Sequence, residues 1–171
     1  DKIKFLNLEN IFNIKKIELV RLLNSNSLIE SFEVFKKYPS SININIKKTK
    51  FLAKINDNGK IFLIGSNGKL TLAEKSYKDL PFIFGNPNIS EFLKFKQIID
   101  NSKFSYNQIE SLYFFPSKRW DLKLKGNILL KLPNNFSNKM LNSLYEFLEE
   151  YNVKNFTVID SRIENQIILN E

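Results

Sequence analysis

Residues 119–132 read RWDLKLKGNILLKL. Trp120, Leu122 and Leu124 alternate with polar residues, the period of a half-buried β-strand. Gly126-Asn127 is a turn signal, and NILLKL (127–132) runs back as a second strand. Upstream, QIESLYFF (108–115) predicts a third. Two amphipathic stretches flank this set. SEFLKFKQIID (90–100) places Phe92, Phe95, Ile98 and Ile99 at helical spacing, with Ser90 as N-cap. SNKMLNSLYEFLEEYN (137–152) turns Met140, Leu141, Leu144, Phe147, Leu148 and Tyr151 inward, with Ser137 as cap. Strands followed by helices that share one apolar face predict an α+β fold, a mainly antiparallel sheet with both helices on one side.

The N-terminal part has a different rhythm. NIKKIELVRLLNSN (13–26) spaces Ile14, Ile17, Val20 and Leu23 three apart, a helix with Asn13 as cap. SFEVFKKYPSSININIK (31–47) is a hairpin: one strand, a Pro39-Ser40-Ser41 turn, then Ile42, Ile44 and Ile46 on one face. From Phe51 short strands follow quickly, with FLAKI and KIFLI joined through Asn58-Gly59. KLTL is a further strand, and LPFIFGNPN (80–88) a loop or short extended segment punctuated by Pro and Gly. The change of pattern predicts a boundary at KKTK, giving units 1–48 and 49–171. That junction, and polar loops such as 65–69, are the expected protease sites.

The last residues predict two strands, Phe156–Ile159 and Arg162–Leu169. A final strand with no successor is expected at a sheet edge, where N–H and C=O groups lack partners. NQIIL (165–169) carries neither charge nor proline to blunt it. Alternation puts Ile163, Ile167 and Leu169 toward the core, with Gln166 and Ile168 outward.

Composition narrows the chemistry. The 171 residues include no Cys and no His, so thiolate nucleophiles, imidazole bases and the commonest metal ligands are missing. No phosphate loop, nucleophile elbow or Ser-x-x-Lys motif occurs, and no catalytic, cofactor or metal residues are assigned. Asp160 and Arg162, two residues apart, are expected to form an ion pair at a strand bend. A net charge of +8 raises nucleic acid as a partner. However, the cations are Lys with only three Arg (Arg21, Arg119, Arg162), spread along the chain. Bidentate phosphate and base contacts favour Arg, so nucleic acid is not expected. No stretch reaches the ~18 apolar residues of a membrane span, and the start lacks the apolar core of a signal peptide.

The order of motifs resembles the extracytoplasmic part of the bacterial FtsQ/DivIB cell-division family. Pro39, Ile42, Ile44 and Ile46 match its Pro-x-x-Leu-x-Ile-x-Ile pattern. Leu80, Pro81 and Gly85 match Leu-Pro-x-x-x-Gly, while Trp120, Leu122 and Leu124 match Trp-x-Leu-x-Leu. Ile159, Asp160 and Arg162 match Ile-Asp-Leu-Arg-Tyr. Departures are Lys47 or Lys48 for an acidic residue, Phe51 for a proline, Gly65 for an Asp, Pro133 for a Gly, Ser161 for the Leu and Ile163 for the aromatic.

The resemblance implies a partial POTRA-like unit (1–48), its first strand and most of its first helix lying before Asp1. A β-domain (49–171) follows. It also implies a non-enzymatic divisome scaffold on the periplasmic side of the inner membrane, anchored by an upstream transmembrane helix. Its partners would be the bitopic coiled-coil proteins FtsB and FtsL, and it would help regulate septal peptidoglycan synthesis. The expected contact residues are Arg162, Ile163, Glu164, Asn165, Gln166, Ile167, Ile168 and Leu169 on the last strand, with Arg119 as a charged contact. A POTRA-type transport or chaperone module of an envelope assembly system is the alternative.

Overall fold

The computed structural model describes residues 16–37, 41–74, 77–151, 156–164 and 166–170. Helix α1 (Lys16–Ser25) precedes a hairpin of β1 (Ile29–Lys37) and β2 (Ser41–Lys48). Their register sets Phe32 opposite Ile46 and Val34 opposite Ile44. Phe32, Val34, Ile42 and Ile44 pack against buried Leu19, Leu23 and Ile29. Ile42 and Ile44 of the alternation read at 42–46 therefore mark the face that meets α1, while Ile46 is 45% exposed. The expected Asn13 cap and the Pro39-Ser40 part of the turn lie outside the described residues.

A second sheet has nine strands: β3 (Phe51–Asp57), β4 (Lys60–Gly65), β5 (Leu70–Leu72), β6 (Phe82–Phe84), β7 (Ile109–Phe114), β8 (Trp120–Leu124), β9 (Leu129–Lys131), β10 (Val158–Asp160) and β11 (Ile168–Asn170). Their spatial order is β11-β10-β9-β8-β7-β6-β3-β4-β5. The expected turns close the hairpins: Asn58 and Gly59 join β3 to β4 with φ of 50° and 77°, and Gly126 and Asn127 join β8 to β9 with φ of 97° and 70°. Positive φ at both central residues gives a turn whose twist suits the strands it joins.

Five of the eight pairings are antiparallel and three parallel. Two parallel neighbours are joined through helices, β6 to β7 by α2 (Ile89–Asp100) and β9 to β10 by α3 (Asn138–Glu150). Both crossovers step the same way along the sheet. Right-handed connections then put both helices on one face, the arrangement expected from sequence.

One local reading is narrowed and one corrected. Of the two readings of LPFIF, loop or short extended segment, the second holds: Phe82–Phe84 is an interior strand, parallel to β3 on one side and to β7 on the other. A strand of three residues flanked by Pro and Gly is too short to show a period. The cap of α2 is Asn88, not Ser90. The N–H of Asn88 donates to the Glu91 carboxylate at 2.9 Å, half of a capping box. Ser137 does cap α3, accepting from the N–H of Met140 at 3.3 Å.

The core follows from register. Ile55, Ile83, Leu112, Leu122, Leu130 and Ile159 are successive cross-strand neighbours, one per strand. All are buried in one cluster with Phe92, Phe95 and Ile99 of α2 and Leu141 and Leu144 of α3. Leu169 extends the row onto β11, opposite Ile159, and packs partly buried against the same cluster. Gly85 ends β6 with φ of 90°. A Cβ there would lie 2.2 Å from the carbonyl oxygen of Phe114. Gly85→Ala is therefore expected to destabilise the fold by at least about 1–3 kcal/mol, the range for a non-glycine residue held at unfavourable backbone angles. A urea midpoint equal to wild type would contradict this close approach.

Candidate partner-docking edge

β11 ends the sheet, paired with β10 on one side and with no described strand on the other. The direction of its backbone groups can be worked out. Leu129 N–H donates to Thr157 C=O and Ser161 N–H to Lys131 C=O. Odd-numbered residues of β10 therefore turn their polar groups to β9, and Val158 and Asp160 turn theirs to β11. Antiparallel register pairs these two with Asn170 and Ile168. Alternation leaves the N–H and C=O of Leu169 on the open edge.

The strand expected over Arg162–Leu169 is regular only at Ile168–Asn170. Asp160 explains the shortening. Its carboxylate accepts from the backbone N–H of Arg162 at 3.1 Å and from Nε of the same residue at 2.8 and 3.0 Å. Such an aspartate-centred turn takes the chain off the ladder. Ser161 is buried, donating its hydroxyl to Lys131 C=O at 2.8 Å. A further turn follows, with Gln166 N–H donating to Ile163 C=O at 3.2 Å. Strand alternation does not carry through these turns, so the inward set is corrected. Leu169 alone of the three meets the main core. Ile163 is 54% exposed and Ile167 37%.

The remaining expected residues divide by place. Ile168 is 43% exposed, on the sheet face away from the helices. Glu164 and Gln166 are exposed, and Asn165 lies outside the described residues. A groove of about 630 Å3 runs between α3 and this segment. Arg162, Ile163, Glu164, Gln166 and Ile167 line one wall, and Met140 and Leu144 of α3 line the other. Sequence reasoning assigned the apolar residues of α3, Met140 and Leu144 among them, to the core and missed this wall. Met140, only partly buried, had offered no separate signal.

Arg119 stands apart, on the turn entering β8. Its guanidinium lies 4.2 Å from the Phe115 ring, and its Nε is 3.1 Å from the Asp121 carboxylate. Asp121, Lys131 and Asp160 are cross-strand neighbours on the same face. A row of alternating charge thus leads from Arg119 toward Arg162 and the edge. Asp121 is only 3% exposed. Burial raises its carboxyl above the ordinary range, with the Arg119 pair opposing.

Asp160 goes the other way: hydrogen bonds from Arg162 hold its carboxyl below the ordinary range. A depressed carboxylate contributes stability above its unfolded pKa, near ~3.9, and that contribution is lost as pH falls through the folded value. Asp160→Asn should therefore flatten the acid limb of stability below about pH 4. Urea unfolding followed from about pH 2.5 to about pH 6 checks it. An unchanged limb would mean that the pair contributes no pH dependence. Among the described residues no group of acidic side chains is placed to hold a metal ion, and no helix is long and apolar enough to cross a membrane.

Fold and site define an α+β protein whose mixed nine-stranded sheet ends in a three-residue strand beside a groove, with no further strand on its outer side among the described residues. The family model described as "Cell division protein FtsQ/DivIB, C-terminal" matches residues 46–162. The chain belongs to this family of cell-division proteins. It is 25% identical over 155 residues to the cell division protein FtsQ of Rickettsia felis, covering 81% of this chain and 57% of that protein. With FtsQ of Rickettsia bellii the identity is 26% over 170 residues, covering 92% and 60%. The chain thus spans less than two thirds of the length of these relatives. The solved major extracytoplasmic domain of the division protein DivIB from Geobacillus stearothermophilus aligns with a TM-score of 0.43 and 11% identity, over 60% of this chain and 91% of that one.

Proposed function

We propose that this chain is the extracytoplasmic part of a non-enzymatic division scaffold that binds bitopic coiled-coil proteins of the FtsB and FtsL type along β11. In this reading residues 1–48 form a partial POTRA-like unit and 49–171 a β-domain. The whole protein is held at the periplasmic side of the inner membrane by an upstream transmembrane helix, and it helps regulate septal peptidoglycan synthesis. The observation that carries the reading is the edge. Leu169 has polar backbone groups free of β10, and exposed Ile163 and Ile167 lie in the adjoining groove. A segment adding a strand there gains main-chain hydrogen bonds, while alternate side chains and the groove supply selectivity. Arg162 at the groove mouth suits an acidic residue on the partner.

A pull-down from envelope extract with this chain as bait tests the proposal. Recovery of small coiled-coil membrane division proteins is the expected result. Recovery of outer-membrane β-barrel proteins in their place would overturn it in favour of an envelope-assembly module.

A further inference from the structure

The β1–β2 hairpin and the nine-stranded sheet are joined covalently through Thr49 and Lys50 alone. A linker of that kind normally leaves a hinge, because relative motion is the default where no large apolar interface exists. Here a second attachment is present. The turn after β4, residues 65–69, reaches back to the hairpin unit. Asn67 donates both protons of its side-chain amide to the unit's backbone, to Ser27 C=O at 2.9 Å and Ile29 C=O at 2.8 Å. Its Oδ1 accepts from Lys69 N–H at 3.0 Å, which fixes the amide plane. Lys69 Nζ donates to the carbonyls of Asn24 and Asn26, at the C-terminal end of α1. The Asn24 carbonyl, in the last turn of α1, is at the negative end of the helix dipole, so a cation is favoured there.

Other contacts converge on the same place. Ser66 donates its hydroxyl to the Glu30 carboxylate at 3.0 Å. Thr71, on β5, donates to the Ser27 hydroxyl at 2.8 Å. The backbone is shaped for the contact: a Cβ on Gly65 would lie 2.6 Å from Asn67 Oδ1 and 2.7 Å from Thr49 Oγ1. The turn expected from sequence to be an open protease site is half-buried instead, with its side chains committed to the hairpin.

We propose that the 65–69 turn is a clasp that sets the angle of the hairpin unit on the large sheet, with Asn67 as the positioning residue. Two bonds from one planar amide to two carbonyls of the neighbouring unit specify an orientation, which a single bond or an apolar contact does not. The clasp lies at the β4–β5 end of the sheet and the candidate docking edge at the β11 end. Hairpin and edge therefore move as one body, and whatever docks on β11 is held at a set separation from the hairpin. This inference does not depend on what docks there.

The chain contains no cysteine, so a spin-label pair can be placed cleanly in the full chain through Glu33→Cys on β1 and Glu149→Cys on α3, both exposed positions. Pulsed dipolar spectroscopy should give one narrow distance distribution. Asn67→Ala should broaden and shift it, while fluorescence of Trp120, the single tryptophan, stays native and shows that the large sheet is folded. Lys69→Met keeps Asn67 in place and should broaden the distribution less. If Asn67→Ala loses the native Trp120 signal, the Lys69→Met distribution decides. A broad distribution before any clasp substitution overturns the proposal, as do folded variants whose distributions superimpose on the parent.

Discussion

Trp120→Ala is expected to cost about 3–5 kcal/mol of stability, the range for truncating a buried large aromatic. Trp120 is 4% exposed and sits where three elements meet. Its ring stacks on Phe95 of α2 at 4.6 Å and tilts against Phe114 of β7, its cross-strand partner, at 4.7 Å. Phe95 in turn meets Phe136 edge-on at 5.8 Å. Removing the indole takes away apolar burial and two aromatic contacts together. The void cannot close easily, because β8 is an interior strand fixed by β7 and β9. Trp120→Phe, which refills part of the space, should lose distinctly less. Urea unfolding followed by far-ultraviolet circular dichroism measures both without using the tryptophan signal. If Trp120→Ala melts like wild type and loses partner binding instead, the ring is a ligand platform and not core.

That prediction rests on a residue whose place was legible in RWDLKL itself, because period-two alternation and local turns are properties of adjacent residues. The same holds for Asn58-Gly59, for Ile42, Ile44 and Ile46, and for the Asp160–Arg162 pair. What escaped was set by non-adjacent strands. β6 lies between β3 and β7, and nothing within Phe82–Phe84 announces two parallel neighbours brought together by crossovers. Asp121 could be placed on the face opposite Trp120. Its cross-strand neighbours are Tyr113 on β7 and Lys131 on β9, which only register reveals. The candidate site was half legible. Arg162 to Leu169 were found as a segment, but a single aspartate-centred turn at Asp160 undid the alternation that had assigned their faces. The α3 wall of the groove and the Asn67 clasp depend on contacts across long stretches of chain, such as the separation of 38 positions from Ile29 to Asn67, and no local pattern reports them.

The shortened strand also changes which substitution tests the docking edge. Ile168 faces β10 with its backbone, so Ile168→Pro would remove a bond of the ladder within this chain. Gln166 gives its N–H to Ile163, so Gln166→Pro would break the preceding turn. Leu169 is the residue whose N–H points away from β10, and Leu169→Pro removes that donor and blocks an incoming strand. It also removes a side chain packed on the core. Leu169→Ala is the matched control, losing the packing but keeping the donor. Ile168→Thr tests the exposed side chain while keeping a β-branched residue.

With a periplasmic segment of an FtsB-type protein as titrant in calorimetry, Leu169→Pro should weaken binding by about two- to tenfold relative to Leu169→Ala. One lost hydrogen bond is worth roughly 0.5–1.5 kcal/mol, and each 1.4 kcal/mol is tenfold. Ile168→Thr should change affinity only modestly, since backbone pairing carries much of an added strand's binding. Equal affinities for Leu169→Pro and Leu169→Ala, both with native circular dichroism, would remove the edge as the site. The groove between α3 and Ile163–Ile167 would then be the surface to test, because it can receive side chains without any strand being added. A fall shared equally by Leu169→Pro and Leu169→Ala counts against the edge in the same way: the loss would track packing of β11 against the core, with the free N–H contributing nothing.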